Sequence, residues 1–578
     1  MRKVKMNSTR MLPDVREKTT GKRTIILAGA CALALYIFVF GIFLESAMAA
    51  ITLPLDNKTG LDSGQYTIYA LGFSTASKQM LLNNGTFGSI PSGSGTIESY
   101  PVGSGMLSQI TIDENTPLLG ARVYFFIAGA SQPAPSLAYS NDGASVTQPG
   151  NPPNASYPPY SFFEITQDPS YSTTPVVDVQ TVDGFIFPLT ITLNNGLQVG
   201  QPSPAGAVNR ASIFAAYKTF MVAQGAAGQP YKKLRFTDAG SGLLNPFYYL
   251  IATDAQGQFQ NLTSPLNTTF DNALQKLFSN TNLSLNGVAS GGIAADVYTV
   301  VSTGPQPYPG SAFSIPALQF RGQTHGRVFN IFNPVGLTVT TNPKINGPIT
   351  GTINGTSLTF DTPLPKKALK VGMFVNGAGT DSQTQIQSLV VNENGLSGVV
   401  LNKNLQQPAP HTQYFFSKVP NLFMTSGAMV FGNYGLFADA AVQFPSDGDS
   451  QAVLGNLENQ IVSALNRGVA NLAPATGPAG RTSNYWYKEA KWYPEGPAQN
   501  LFSLFMHTGR IAKTPIFVRP NPATRNARGQ LMGQAYGFAY DESPAVLQKI
   551  GSQPPVPSKF DPTPAGTTTA TITLGPWQ

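Results

Sequence analysis

Three carboxylates stand close together in a chain that has few. Glu164, Asp178 and Asp183 fall within residues 162–188, while Asp and Glu together number only 29 in 578 residues. Glu164 follows Phe162-Phe163 in a strand-like run. Asp178 and Asp183 lie 14 and 19 positions further on, in Val177-Asp-Val-Gln-Thr-Val-Asp-Gly-Phe-Ile-Phe-Pro-Leu, after a Ser/Thr/Pro-rich stretch. A strand, a loop and an adjacent strand can bring Glu164 and Asp183 to opposite walls of a groove. One carboxyl then protonates a leaving oxygen and the other activates water, which is the chemistry of glycosidic-bond cleavage. With inversion the two stand roughly 6.5–9.5 Å apart to admit that water. A plainer reading stays open: Asp183-Gly184 as a hairpin turn and Glu164 as a solvated strand residue.

The elements that must position these residues are short. From 51 to about 205 the chain alternates apolar runs with Gly, Pro, Asn and Ser, as in Gln65-Tyr-Thr-Ile-Tyr-Ala-Leu and Ala121-Arg-Val-Tyr-Phe-Phe-Ile-Ala. That spacing is read as strands of a sandwich or barrel. The period then changes. Arg210–Ala223 reads as a helix, and so does Thr269–Ser279, where Phe270, Leu274, Leu277 and Phe278 share a face. A third helix is expected from about Asn456 to Asn471 and a fourth from Pro497. Residues 335–418 carry no helical pattern, only Val/Thr/Ile/Leu alternation broken by Asn-Gly turns, and are read as a small all-β module interrupting a mixed α/β region. Thr569–Trp577 alternates like a final strand.

Composition narrows the class. Charged residues are 11% and hydrophobic residues 42%, with 57 Gly and 47 Pro, the profile of a loop-rich, β-dominated extracellular protein. The net charge of +7 is concentrated at the start: residues 1–23 hold eight Lys/Arg and two acids, and Glu45 is the only charge in 24–49. Residues 50–578 therefore keep 28 basic and 26 acidic side chains, which does not indicate a nucleic-acid binder. Ile25–Leu44 is an apolar run after a basic start, followed by Ala47-Met48-Ala49-Ala50. Residues 1–49 are read as a signal peptide cleaved before Ala50, or as an uncleaved anchor, so the protein is expected to be secreted or on the cell surface. The single cysteine, Cys31, lies in that segment, which leaves no thiol chemistry in the remainder.

The motifs then resemble a known family. Phe163-Glu-Ile-Thr with Val177-Asp-Val-Gln-Thr-Val-Asp-Gly-Phe-Ile-Phe-Pro-Leu resembles the thaumatin-like signature, whose acidic cleft residues fall on Glu164, Asp178 and Asp183. Ala121-Arg-Val-Tyr-Phe, Leu465-Asn-Arg-Gly-Val, the Tyr493–Asn500–His507 segment, Tyr536-Gly-Phe-Ala-Tyr-Asp-Glu and Thr573-Leu-Gly-Pro-Trp are together similar to glycoside hydrolase family 64, the β-1,3-glucanases. The resemblance implies a mainly β fold with α+β parts: a thaumatin-like β-barrel or sandwich domain (50–205, with its final strand from 566–578) packed on a mixed α/β domain (206–334 and 419–565), with 335–418 inserted. It implies an exported, endo-acting, inverting hydrolase of β-1,3-glucan, working as a monomer without cofactor. In that reading Glu164 is the acid, Asp183 the base, Asp178 a groove carboxylate and Arg122 a positive wall residue, with Asp541 and Glu542 on the facing domain. The sequence departs from the family pattern in having Asp541-Glu542 where two Asp are usual, and no cysteine in the exported part.

Aromatics complete the candidate set. Tyr485-Trp486-Tyr487 and Trp492-Tyr493 gather two of the three tryptophans in the chain. Trp486, Trp492 and Tyr493 are read either as sugar platforms or as packing at a domain junction. His325, His411 and His507 are scattered, which argues against a zinc site; of the three, His507, on a predicted helix, is the candidate for substrate contact. No Walker loop or Gly-x-Ser-x-Gly elbow occurs, so nucleotide use and serine-hydrolase chemistry are not indicated. Two other readings remain open: a non-catalytic glucan-binding protein using the same groove, and a surface structural protein.

Overall fold

A computed structural model describes most of residues 50–577. Outside the described residues lie 1–49 and chiefly 150–157, 168–174, 182–184, 201–209, 239–246, 251–264, 336–348, 419–425, 431–439, 473–481, 487–491, 516–558 and 561–568. The N-terminal basic and apolar segments, with Cys31, therefore fall outside them. Among the described residues no helix is long and apolar enough to cross a membrane.

The chain is mainly β. The strand Leu118–Gly129 lies centrally in the largest sheet, flanked by Tyr66–Ser74 on one side and Tyr160–Gln167 on the other; Val176–Gln180 follows, and Lys559–Phe560 closes that edge. Alternation explains the packing. Val123, Phe125, Ile127, Phe163, Ile165, Val177 and Val179 alternate along their strands with residues of the other face, and all are essentially buried. A second sheet runs Gln198–Gly200, Leu189–Leu193, Ala570–Leu574, Ile51–Asn57 and Gln109–Ile112. The C-terminal strand lies parallel to the first strand, with Leu55 opposite Ile572, and antiparallel to Leu189–Leu193, with Ile191 opposite Ile572. Both sheets contribute to one continuous core.

Helices join that core. The helix expected over Arg210–Ala223 is observed over the same residues, and the next spans Asp271–Phe278, with Leu274, Leu277 and Phe278 buried as its periodicity implies. The third, Gly448–Asn466, begins earlier than expected because Asp447 caps it, accepting from Ser450 N at 3.0 Å and from Ser450 Oγ at 2.7 Å. The fourth runs Leu501–Thr508, one turn beyond Pro497. Tyr217 of the first helix meets Phe505 of the last edge-on at 5.2 Å.

Among the described residues, the strands between 349 and 417 pair only among themselves, in the order Phe374–Gly377, Thr412–Ser417, Ile349–Leu364, Gly395–Leu405, Ile386–Asn392. The first and last of these also meet. Val375 N donates to Thr384 O at 2.9 Å and Ile386 N to Met373 O at 2.8 Å, so the sheet curls back on itself. It encloses its own apolar cluster, including Ile353, Leu358, Val399, Leu401 and Phe416. Phe313, in the loop before Ser314–Gly322, packs against this cluster and against a neighbouring one around Tyr308 and Phe332. Ser311 Oγ donates to Lys418 O at 2.6 Å, fastening the end of the segment.

In the sheet that carries Asp296–Ser302, Asp296 organises the 322–327 turn. Burial raises its carboxyl, but the N–H groups of His325 (2.9 Å), Thr324 (3.0 Å) and Val297 (2.7 Å) outweigh this and hold it below the ordinary carboxylate range. A folded value below the unfolded one gives stability that is present above about pH 4 and lost as pH falls through the folded value. The urea midpoint of wild type should therefore fall on acidification below about pH 4, and Asp296→Asn should remove part of that dependence.

Candidate functional site

The register of the large sheet builds the site. Glu164 stands directly opposite Arg122 on one side and Asp178 on the other; Asp178 in turn is opposite Lys559, and Arg122 opposite Phe73. Directly paired residues share a sheet face. Arg122, Glu164 and Asp178 thus form one charged row across three adjacent strands.

Contacts fix the Arg122–Glu164 end of this row. Arg122 Nε donates to Glu164 Oε1 at 2.7 Å, and the two side chains keep 28% and 25% of their surface open to solvent. At that exposure the ion pair adds about 0–1 kcal/mol to stability, so its consequence is orientation. The guanidinium lies over the Phe162 ring at 5.1 Å, with Nη1 at 3.5 Å from Tyr124 Oη. Beside the pair on the same face is an aromatic cluster: Tyr124 packs on Phe162 at 5.2 Å, Tyr160 at 5.4 Å and Phe73 at 5.9 Å. Asp178 is more enclosed, 8% exposed, and accepts from Gln180 Nε2 at 3.0 Å. Asp183 lies outside the described residues; on either side of it, Thr181 and Phe185 are buried.

The other candidates fall elsewhere. Trp486 is fully buried in the main core. A sugar platform needs an open ring face, so of the two readings open for Trp486 its burial favours packing. Trp492 and Tyr493 are half-buried. The Trp492 indole rests on the Arg467 guanidinium at 4.0 Å and donates from Nε1 to Trp486 O at 2.8 Å. Tyr493 holds a left-handed backbone (φ 53°), an outlier for a bulky residue, fixed by Tyr493 N to Arg467 O at 2.9 Å and by its hydroxyl to Ser503 Oγ at 2.8 Å. Asn500 Nδ2 donates to Asn466 Oδ1 at 2.7 Å. The Leu465–Val469 and Tyr493–Asn500 motifs therefore meet in a polar knot tying the Gly448–Asn466 and Leu501–Thr508 helices. His507 lies in the latter helix, its side chain outside the described residues, as are Asp541 and Glu542.

Gly468 closes the long helix with φ +70°, and a Cβ there would come within 3.0 Å of Gln499 Cβ. Gly468→Ala should cost about 1–2 kcal/mol, read as a lower urea midpoint with an unchanged slope.

No protein-family model matches the chain, and no curated protein does. Solved structures of family 64 β-1,3-glucanases are similar to it. One, a β-1,3-glucanase domain from Clostridium beijerinckii, aligns over 92% of this chain and 99% of its own at 16% identity, with a TM-score of 0.44. Another, a laminaripentaose-producing β-1,3-glucanase from Paenibacillus barengoltzii, aligns over 39% of this chain and 53% of its own at 17% identity, with a TM-score of 0.25.

Of the sequence candidates, the structure brings Arg122, Glu164 and Asp178 together, and beside Asp178 stands Gln180, which the sequence reading did not single out. Its signal was present, since a residue two positions from Asp178 in a strand shares its face. Among the described residues no cluster of three or more His, Cys, Asp or Glu stands ready for a metal ion.

Proposed function

We propose that the protein is an exported, endo-acting β-1,3-glucan hydrolase that inverts the anomeric centre, with Glu164 as general acid and Asp183 as general base in a thaumatin-like groove. The observation that carries the proposal is the row Arg122–Glu164–Asp178, which sets a partly exposed carboxyl beside an aromatic cluster on the same face, with a guanidinium fixing its direction. The substrate class comes from the motif resemblance. Asp178 is given a supporting role for a geometric reason. Directly opposed strand residues have Cβ atoms about 4.5–5.5 Å apart, while an inverting pair spans roughly 6.5–9.5 Å. The second working carboxyl therefore belongs further from Glu164 than the next strand, as Asp183 is in sequence. Trp492 and Tyr493 are proposed as a rigid glucan contact, since the hydrogen bonds and cation beneath them fix both rings. Residues 1–49 direct export.

The test is incubation with linear β-1,3-, β-1,4- and β-1,6-glucans, following new reducing ends. Release of short oligosaccharides from the β-1,3 polymer alone is expected. Binding of that polymer without release would favour the non-catalytic glucan-binding reading.

A further inference from the structure

Gln180 has no part in the acid–base scheme, yet its placement ties it to that scheme twice. Along its own strand it lies two residues from Asp178, on the same face, and its Nε2 donates to Asp178 Oδ2 at 3.0 Å. Across the ladder it is paired with Phe162, the ring beneath the Arg122 guanidinium that holds Glu164. Gln180, Asp178, Glu164 and Phe162 thus occupy the corners of one square on the sheet face. Gln180 is 4% exposed and Asp178 8%, so this bond forms where water competes poorly. The donor is also neutral. A Lys or Arg at 180 would hold Asp178 equally well but add a positive charge beside the carboxylates; the carboxamide holds Asp178 and leaves the charge of the row unchanged.

We propose that Gln180 is a positioning residue of this site, locking the Asp178 carboxylate in its place beside Glu164. The inference rests on the hydrolase reading above. Gln180 touches neither the substrate nor the reacting atoms, and acts through Asp178. Charged groups sharing the face among the described side chains are Arg122 and Glu164.

The test uses the full chain acting on linear β-1,3-glucan. Gln180→Met, close in shape but without a donor, should lower kcat roughly 10- to 100-fold, as small misplacements near reacting groups do, with KM within about twofold if ground-state binding is untouched. Its thermal midpoint should fall modestly, since a buried donor to a carboxylate is lost, so kcat is compared per folded protein. Gln180→Glu keeps the shape and adds a like charge, which favours protonation of its neighbours, so its pH–rate profile should move to higher pH. Wild-type kcat and an unmoved pH profile in both variants would overturn the inference, as would losses explained entirely by a fall in folded protein. A wild-type protein that released no sugar would overturn the hydrolase reading and this inference with it. A wild type that cuts, matched by a Gln180→Met variant that cuts equally well, would overturn this inference alone.

Discussion

Glu164→Gln is expected to lower glucan release by roughly 10²- to 10⁴-fold, the usual contribution of a positioned acid or base. The amide oxygen can still accept from Arg122 Nε, now at 2.7 Å from Glu164 Oε1, so shape and pairing survive while proton transfer is lost. The Tyr124–Phe162–Tyr160 cluster is untouched, and a partly exposed ion pair contributes only about 0–1 kcal/mol. Thermal unfolding should therefore scarcely change, which separates a chemical loss from a structural one. Asp183→Asn should behave in the same way. Release persisting in both variants would move the site elsewhere on the molecule.

The largest stability effect is expected at Trp486. It heads the fully buried side chains by volume, and truncating a buried aromatic to Ala costs about 3–5 kcal/mol. The carbonyl of Trp486 also accepts from Trp492 Nε1 at 2.8 Å and from Arg467 Nη1 at 3.4 Å, so the cavity would open beneath the polar knot that joins two helices. Urea denaturation of Trp486→Ala should show a clear fall in midpoint. A variant of unchanged stability but raised KM would restore Trp486 as a sugar contact.

These two residues mark where sequence was informative and where it was not. Glu164 and Asp178 were legible because strand alternation and pairing are local rules: once Phe162–Thr166 and Val177–Gln180 are strands, their facing residues follow. The Arg210–Ala223 helix was legible for the same reason, since its periodicity is local. The start of the long helix was missed by its apolar spacing because a capping interaction, Asp447 with Ser450, sets it. Trp486 and Trp492 looked alike as sequence. Only tertiary packing places one indole inside the core and leaves the other half open over Arg467. Nor could composition show that the 349–417 strands curl into a closed sheet, which depends on hydrogen bonds between its first and last strands.

The account stands most directly on the stereochemistry of the first cut. Proton NMR of the anomeric signals, recorded as the protein meets a linear β-1,3-glucan, should show new reducing ends appearing first as the α-anomer and then mutarotating. No new reducing ends, or products that appear first as the β-anomer, would contradict it.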